Sequence, residues 1–72
     1  MIVSKIAILP ELKKRGFSQL ELLSSGIFGG STLNRLRVKK GEKIEVNLKT
    51  VNTLCEMLDC EVADLIEYRK EG

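Results

Sequence analysis

Residues 18–37, SQLELLSSGIFGGSTLNRLR, constrain this chain more than any other stretch, because two helical patterns meet there across a break that neither can cross. Residues 19–25 form a short helical pattern whose Leu22 and Leu23 can face a core. Ser24, Ser25 and Gly26 then end it, since serine favours caps and turns and glycine visits positive φ freely. A second pattern begins at Ser31. Its Leu33 and Leu36 lie on one side, while Ser31, Asn34 and Arg35 fall at i, i+3 and i+4 on another. Two short helices joined by a tight turn are therefore expected, the second carrying a polar, cationic stripe. A hydroxyl, an amide and a guanidinium on a slim helix are groups able to hydrogen-bond base edges in a DNA major groove.

The rest of the chain must supply a core for this pair. Seventy-two residues make one domain near the lower size limit for folding without disulfides or metals. The apolar fraction is 43%, and with two Phe, one Tyr and no Trp the packing must be aliphatic. Cys55 and Cys60 cannot form a secreted disulfide framework. No apolar run approaches ~18 residues, and the opening MIVSKIAIL lacks a signal-peptide layout. A cytoplasmic protein that makes no membrane contact is expected.

Net charge is only +2, but it is unevenly placed. Residues 35–49 hold Arg35, Arg37, Lys39, Lys40, Lys43 and Lys49 against Glu42 and Glu45, a sum of +4, whereas residues 50–72 sum to −4. One face thus suits a polyanion and another repels it. Any single lysine is best read as solvated surface. The cluster directly after the second helix of the pair points instead to phosphate.

In chain order, residues 1–9 are rich in β-branched side chains, and Pro10 opposes a helix interior at a cost of ~3 kcal/mol. The preferred reading is an extended segment followed by a helix over about residues 10–15, ended by Gly16. The alternative is a helix from Ser4 kinked at Pro10. Ser18 is placed as an N-cap with Glu21 completing a capping box. Residues 38–46 form a charged loop pivoting on Gly41, with residues 43–46 briefly extended. Asn47 caps a helix with an apolar stripe of Leu48, Val51, Leu54, Cys55 and Leu58, and Lys49, Thr50, Asn52, Thr53 and Glu56 turned outward. Asp59 and Cys60 end it, and a short helix over about residues 62–66 contributes Val62, Leu65 and Ile66. The expected fold class is all-α: a compact bundle of about five short helices, with a short extended N-terminal segment as an option.

At Ser18, Gln19, Glu21, Leu22, Gly26, Ser31, Thr32, Leu33, Arg35 and Leu36 the sequence resembles the Cro/repressor-type helix-turn-helix family of bacterial and phage regulators. Residues 48–68 resemble the two closing helices of its small members. The resemblance implies a phosphate contact from Gln19, helped by the start of its helix. It also implies that a short N-terminal strand can pair with the C-terminal segment, which the apolar opening and the Tyr68 region would suit. Such domains usually bind as dimers to half-sites about one turn (~34 Å) apart. A homodimer here would use the apolar N-terminal segment, the last helix or the C-terminal tail.

Ser31, Asn34 and Arg35 are the candidate base readers, arginine suiting guanine and asparagine adenine. Thr32, Arg37, Lys39, Lys40 and Lys43, with Gln19, are the candidate backbone contacts. The plainer reading is a polar helix face that meets something else. Against the family, Gly26 falls one residue before the usual turn glycine and Ile27 lands on it, where a β-branched residue at positive φ would be an outlier. Gly26 must then make the turn and Gly29–Gly30 absorb the extra residue. The second helix is expected to begin at Gly30 or Ser31, with Ile27 or Phe28 packed beneath it.

Other chemistry is poorly supplied. The chain has no His, so there is no histidine base, and Glu11 and Glu21 read as surface and cap. Gly29–Gly30 lacks the context of a phosphate loop. Two thiols five apart do not make a tetrahedral zinc site and read as core fillers. No enzyme, metal or cofactor is expected. The expectation is a small sequence-specific regulator that binds double-stranded DNA. The alternative is a protein-interaction module, antitoxin-like or adaptor, that keeps the fold with weakened DNA reading.

Overall fold

In the computed structural model, which describes residues 1–70, the chain runs β1 (Ile2–Ser4), α1 (Ile8–Lys14), α2 (Gln19–Ser24), α3 (Gly30–Arg35), α4 (Leu48–Leu58), α5 (Val62–Leu65) and β2 (Ile66–Tyr68). Five short helices are present as expected. The all-α class needs correction, because β1 and β2 form a two-stranded antiparallel sheet with Ile2 opposite Tyr68, Val3 opposite Glu67 and Ser4 opposite Ile66. Ile2 and Val3 are β-branched and suit a pleated, half-buried surface. The far edge of β1 is also occupied. Ser4 N–H donates to Glu42 O at 2.9 Å, Gly41 N–H to Ser4 O at 2.7 Å and Ile44 N–H to Ile2 O at 3.1 Å. Val3, in the middle of this doubly bonded strand, is fully buried. The N-terminal segment thus ties the charged loop to the C-terminal strand.

Helix α1 starts two residues before Pro10, earlier than expected, with Ala7 as an N-cap that makes no side-chain hydrogen bond. Proline is harmless there. It sits in the first turn, where backbone N–H groups have no partner inside the helix. Beyond the helix, Gly16 adopts φ +91°, Gly16 N–H donates to Lys13 O and Phe17 N–H to Leu12 O. This is a Schellman ending, which turns the chain sharply towards α2.

Ser18 caps α2, its Oγ accepting from Glu21 N–H at 3.2 Å. Asn47 caps α4, its Oδ1 accepting from Thr50 N–H at 2.8 Å. Asp59 ends α4 in the left-handed conformation, φ 50°, and Cys60 N–H returns to Cys55 O at 3.1 Å. Helix α5 has its own reciprocal capping box between Glu61 and Asp64.

One hydrophobic cluster joins these elements. Ile8, Leu9 and Leu12 enter it from α1, Leu22 from α2, and Leu33 and Leu36 from α3 and its end. Val51, Leu54 and Leu58 of α4, Leu65 of α5 and Ile44 of the loop close it, with Cys55 and Cys60 half-buried against it. Burying a Leu or Ile side chain contributes roughly 1.5–3 kcal/mol, so this aliphatic core carries the fold. Three core assignments from the sequence fail. Leu48 is 84% exposed, and Leu23 and Val62 are also exposed. Thr50, expected outside, is buried. At about 100° per residue, Thr50, Val51, Leu54 and Leu58 occupy one arc of α4, and Leu48 lies roughly 60° beyond its edge.

Candidate nucleic-acid interface

The turn between α2 and α3 fixes what α3 can present. Gly26 has φ +72° and Ile27 does not have positive φ, so glycine makes the turn. Gly29 is the N-cap and Gly30 the first residue of α3. The turn spans residues 25–29, and α3 begins at Gly30, where the sequence placed its start. Phe28 is the residue that packs beneath α3, at 4% exposure, while Ile27 stays exposed. A Cβ at Gly29 or Gly30 would meet nothing within 4 Å, so α3 presents no side chain ahead of Ser31 and has open space there.

With Leu33 and Leu36 buried, the period of the helix turns Ser31, Asn34 and Arg35 outward, and all three are exposed. Thr32 is half-buried. Two open grooves flank Arg35. One is lined by Thr32, Arg35, Glu45, Val46, Asn47 and Thr50. The other is lined by Ser31, Asn34, Arg35, Val38, Lys43 and Glu45. The three base-reading candidates and Lys43 are therefore brought together on a single face.

Arg35 is already engaged. Its Nη1 donates to the backbone oxygen of Glu45 at 3.2 Å and lies 4.0 Å from the Glu45 carboxylate. Lys43 Nζ reaches the same carboxylate at 2.8 Å. The hydrogen bond and charge of Lys43 hold the Glu45 carboxyl below its ordinary pKa; desolvation opposes them, and Arg35 adds the smallest lowering effect. Glu45 is the residue that sequence reasoning missed. It counted only as a charge offsetting the basic segment, and nothing local signals that the loop folds it back onto α3.

The remaining candidates are spread more widely. Arg37, Lys39 and Lys40 are exposed beyond the end of α3, where the Glu42 carboxylate accepts from Lys39 N–H at 2.7 Å. Gln19 is exposed at the first position of α2 and lines a separate hollow with Leu9, Pro10, Lys13, Phe17 and Ser18. Lys13 thus brings a cation to the hollow beside Ser18 and Gln19. Thr32 also borders a further hollow with Phe28, Gly29 and Lys49.

A helix pair with a glycine turn, a second helix anchored by leucines and a cationic loop behind it has the layout of a helix-turn-helix. The family model for the Cro/C1-type HTH DNA-binding domain matches residues 11–71. The chain belongs to this family. The matched span begins inside α1, takes in α2 to α5 and β2, and leaves β1 and the start of α1 outside. No curated protein and no solved structure matches the chain. Among the described residues, no helix of this Cro/C1-type chain is long and apolar enough to cross a membrane.

Proposed function

We propose that this protein is a small sequence-specific transcriptional regulator that reads the DNA major groove with α3. The observation that carries the reading is the single exposed face formed by Ser31, Asn34 and Arg35 beside Lys43, held by buried Leu33 and Leu36. In this reading Arg35 pairs with a guanine edge, Asn34 with adenine, and Ser31 adapts to its neighbour. Gln19, Thr32, Arg37, Lys39, Lys40 and Lys43 contact phosphates and set the register. The bare leading end of α3 gives fewer base contacts than a helix with side chains there, so sequence-dependent DNA shape supplements the readout. Two copies would occupy half-sites about one turn apart, and the whole chain acts as one DNA-binding domain.

Selection from a random duplex pool, followed by a salt titration on the enriched sequence, tests this directly. A palindrome is expected, with a log–log salt slope of roughly −3 to −4 per subunit if about four cations meet phosphates. An unenriched pool together with a flat salt response would refute it.

One observation favours a second reading. Leu20 at 76%, with Leu23 and Ile27, leaves exposed apolar groups along α2 and the turn, as a protein-interaction module of the antitoxin-like or adaptor kind would need. Salt-independent co-purification with a protein partner, without DNA selection, would favour it.

A further inference from the structure

Both grooves beside α3 are walled by Glu45, a carboxylate seated among the cations proposed to meet DNA. An acid at that place repels phosphate and lowers affinity for every sequence alike, so binding strength alone does not account for it. We infer that Glu45 is a positioning residue that sets specificity through Arg35, holding the guanidinium on random DNA and yielding it where a guanine edge offers a better pair. The inference rests on the reading of α3 as the DNA-recognition helix.

The geometry supplies both halves of that behaviour. Arg35 is held at two points, the Glu45 backbone oxygen at 3.2 Å and the carboxylate at 4.0 Å. The Arg35 and Glu45 side chains are 57% and 61% exposed, and exposed pairs of this kind are weak and screened by salt. A modest competitor can therefore displace Glu45. A guanine offers the guanidinium two acceptors in its own plane. A lone phosphate oxygen offers less geometric fit, and it brings a second negative charge towards Glu45. When Arg35 leaves, Lys43 at 2.8 Å remains on the carboxylate and, as an ammonium with several N–H donors, can also meet a phosphate, so no acid is stranded at the interface. Discrimination arises because the wrong DNA is penalised as well as the right DNA rewarded.

The experiment compares wild type with Glu45→Gln and Glu45→Asp on the enriched duplex and on random duplex across salt. Glu45→Gln should bind random DNA about 3–10-fold tighter at 0.1 M salt, with a slope steeper by about 1 per subunit. Affinity for the enriched duplex should rise by less, so the ratio of specific to random affinity falls. Glu45→Asp keeps the charge and should keep the wild-type slope. In an Arg35→Ala background, Glu45→Gln should still raise affinity but no longer change the ratio. Circular dichroism confirms that each variant is folded. If wild type enriches a sequence but Glu45→Gln keeps its ratio, or changes it equally without Arg35, this inference is overturned while DNA reading stands. If wild type enriches no sequence and shows no salt dependence, DNA reading itself fails and takes the inference with it.

Discussion

Exchanging glycine for alanine should have opposite effects at Gly26, in the α2–α3 turn, and at Gly30, the start of α3. Gly26 adopts φ +72°, and a Cβ there would meet nothing within 4 Å. The penalty of Gly26→Ala is therefore conformational rather than steric. An L-residue in the left-handed region costs about 1–2 kcal/mol, and the stiffer unfolded chain returns about 0.4–1 kcal/mol. The net is about 1 kcal/mol of lost stability. Gly30 is the first residue of α3, also with open space around its Cα. There alanine gains up to about 1 kcal/mol of helix propensity, less at a terminal position. For a domain of this size 1 kcal/mol moves Tm by roughly 4–8 °C. Urea and thermal unfolding followed by circular dichroism should separate the two variants in opposite directions from wild type. A Gly26→Ala protein as stable as wild type, or a Gly30→Ala protein less stable, would refute the assignment of the turn to Gly26 and of the helix start to Gly30.

Further outcomes follow from other residues. Arg35→Ala should relax preference at one base position, at about 1–3 kcal/mol of discrimination, whereas Lys40→Ala should weaken specific and random duplex alike; competition binding on both DNAs distinguishes them. Asp59→Gly should stabilise the fold by about 0.5–1 kcal/mol, because Asp59 ends α4 in the left-handed region where glycine is unstrained; a lower urea midpoint would contradict this. Burial, and then the neighbouring Cys55 thiol, push the Cys60 pKa up. The unfolded chain then loses that proton first, so stability holds below the ordinary thiol value near ~8.5 and declines as pH rises from there towards the raised value. Unfolding of Cys60→Ala measured between pH 8 and 10 should show a flatter decline than wild type.

The features legible in the sequence are those set by chemistry within a few residues. Ser18 and Asn47 could be read as caps because a short oxygen-bearing side chain three residues before an unpaired N–H has few other uses. The turn register was legible because Ile27 cannot take positive φ where Gly26 can. The pairing of β1 with β2 came through the family resemblance rather than through local pattern, since its partners are separated by nearly the whole chain. What stayed hidden depends on how elements rotate and where loops return. The exposure of Leu48 and the burial of Thr50 are settled by which arc of α4 meets α1 and α5, and a stripe of five apolar residues leaves that choice open by roughly 50°. Glu45 reaches α3 only because Ser4 and Ile2 hold residues 41–44 by backbone hydrogen bonds. Those bonds leave no trace in side-chain pattern. The candidate site was therefore legible on α3 and illegible in the loop that faces it.

The most direct test of α3 as the reading element is a map of backbone amide shifts in the nitrogen-15-labelled protein as the enriched duplex is added. The largest changes should fall on Ser31, Asn34 and Arg35, with Lys43 and Glu45 beside them and the amide at Gln19 following. Changes concentrated instead at Leu20, Leu23 and Ile27, or on β1 and β2 with α3 unmoved, would contradict the account.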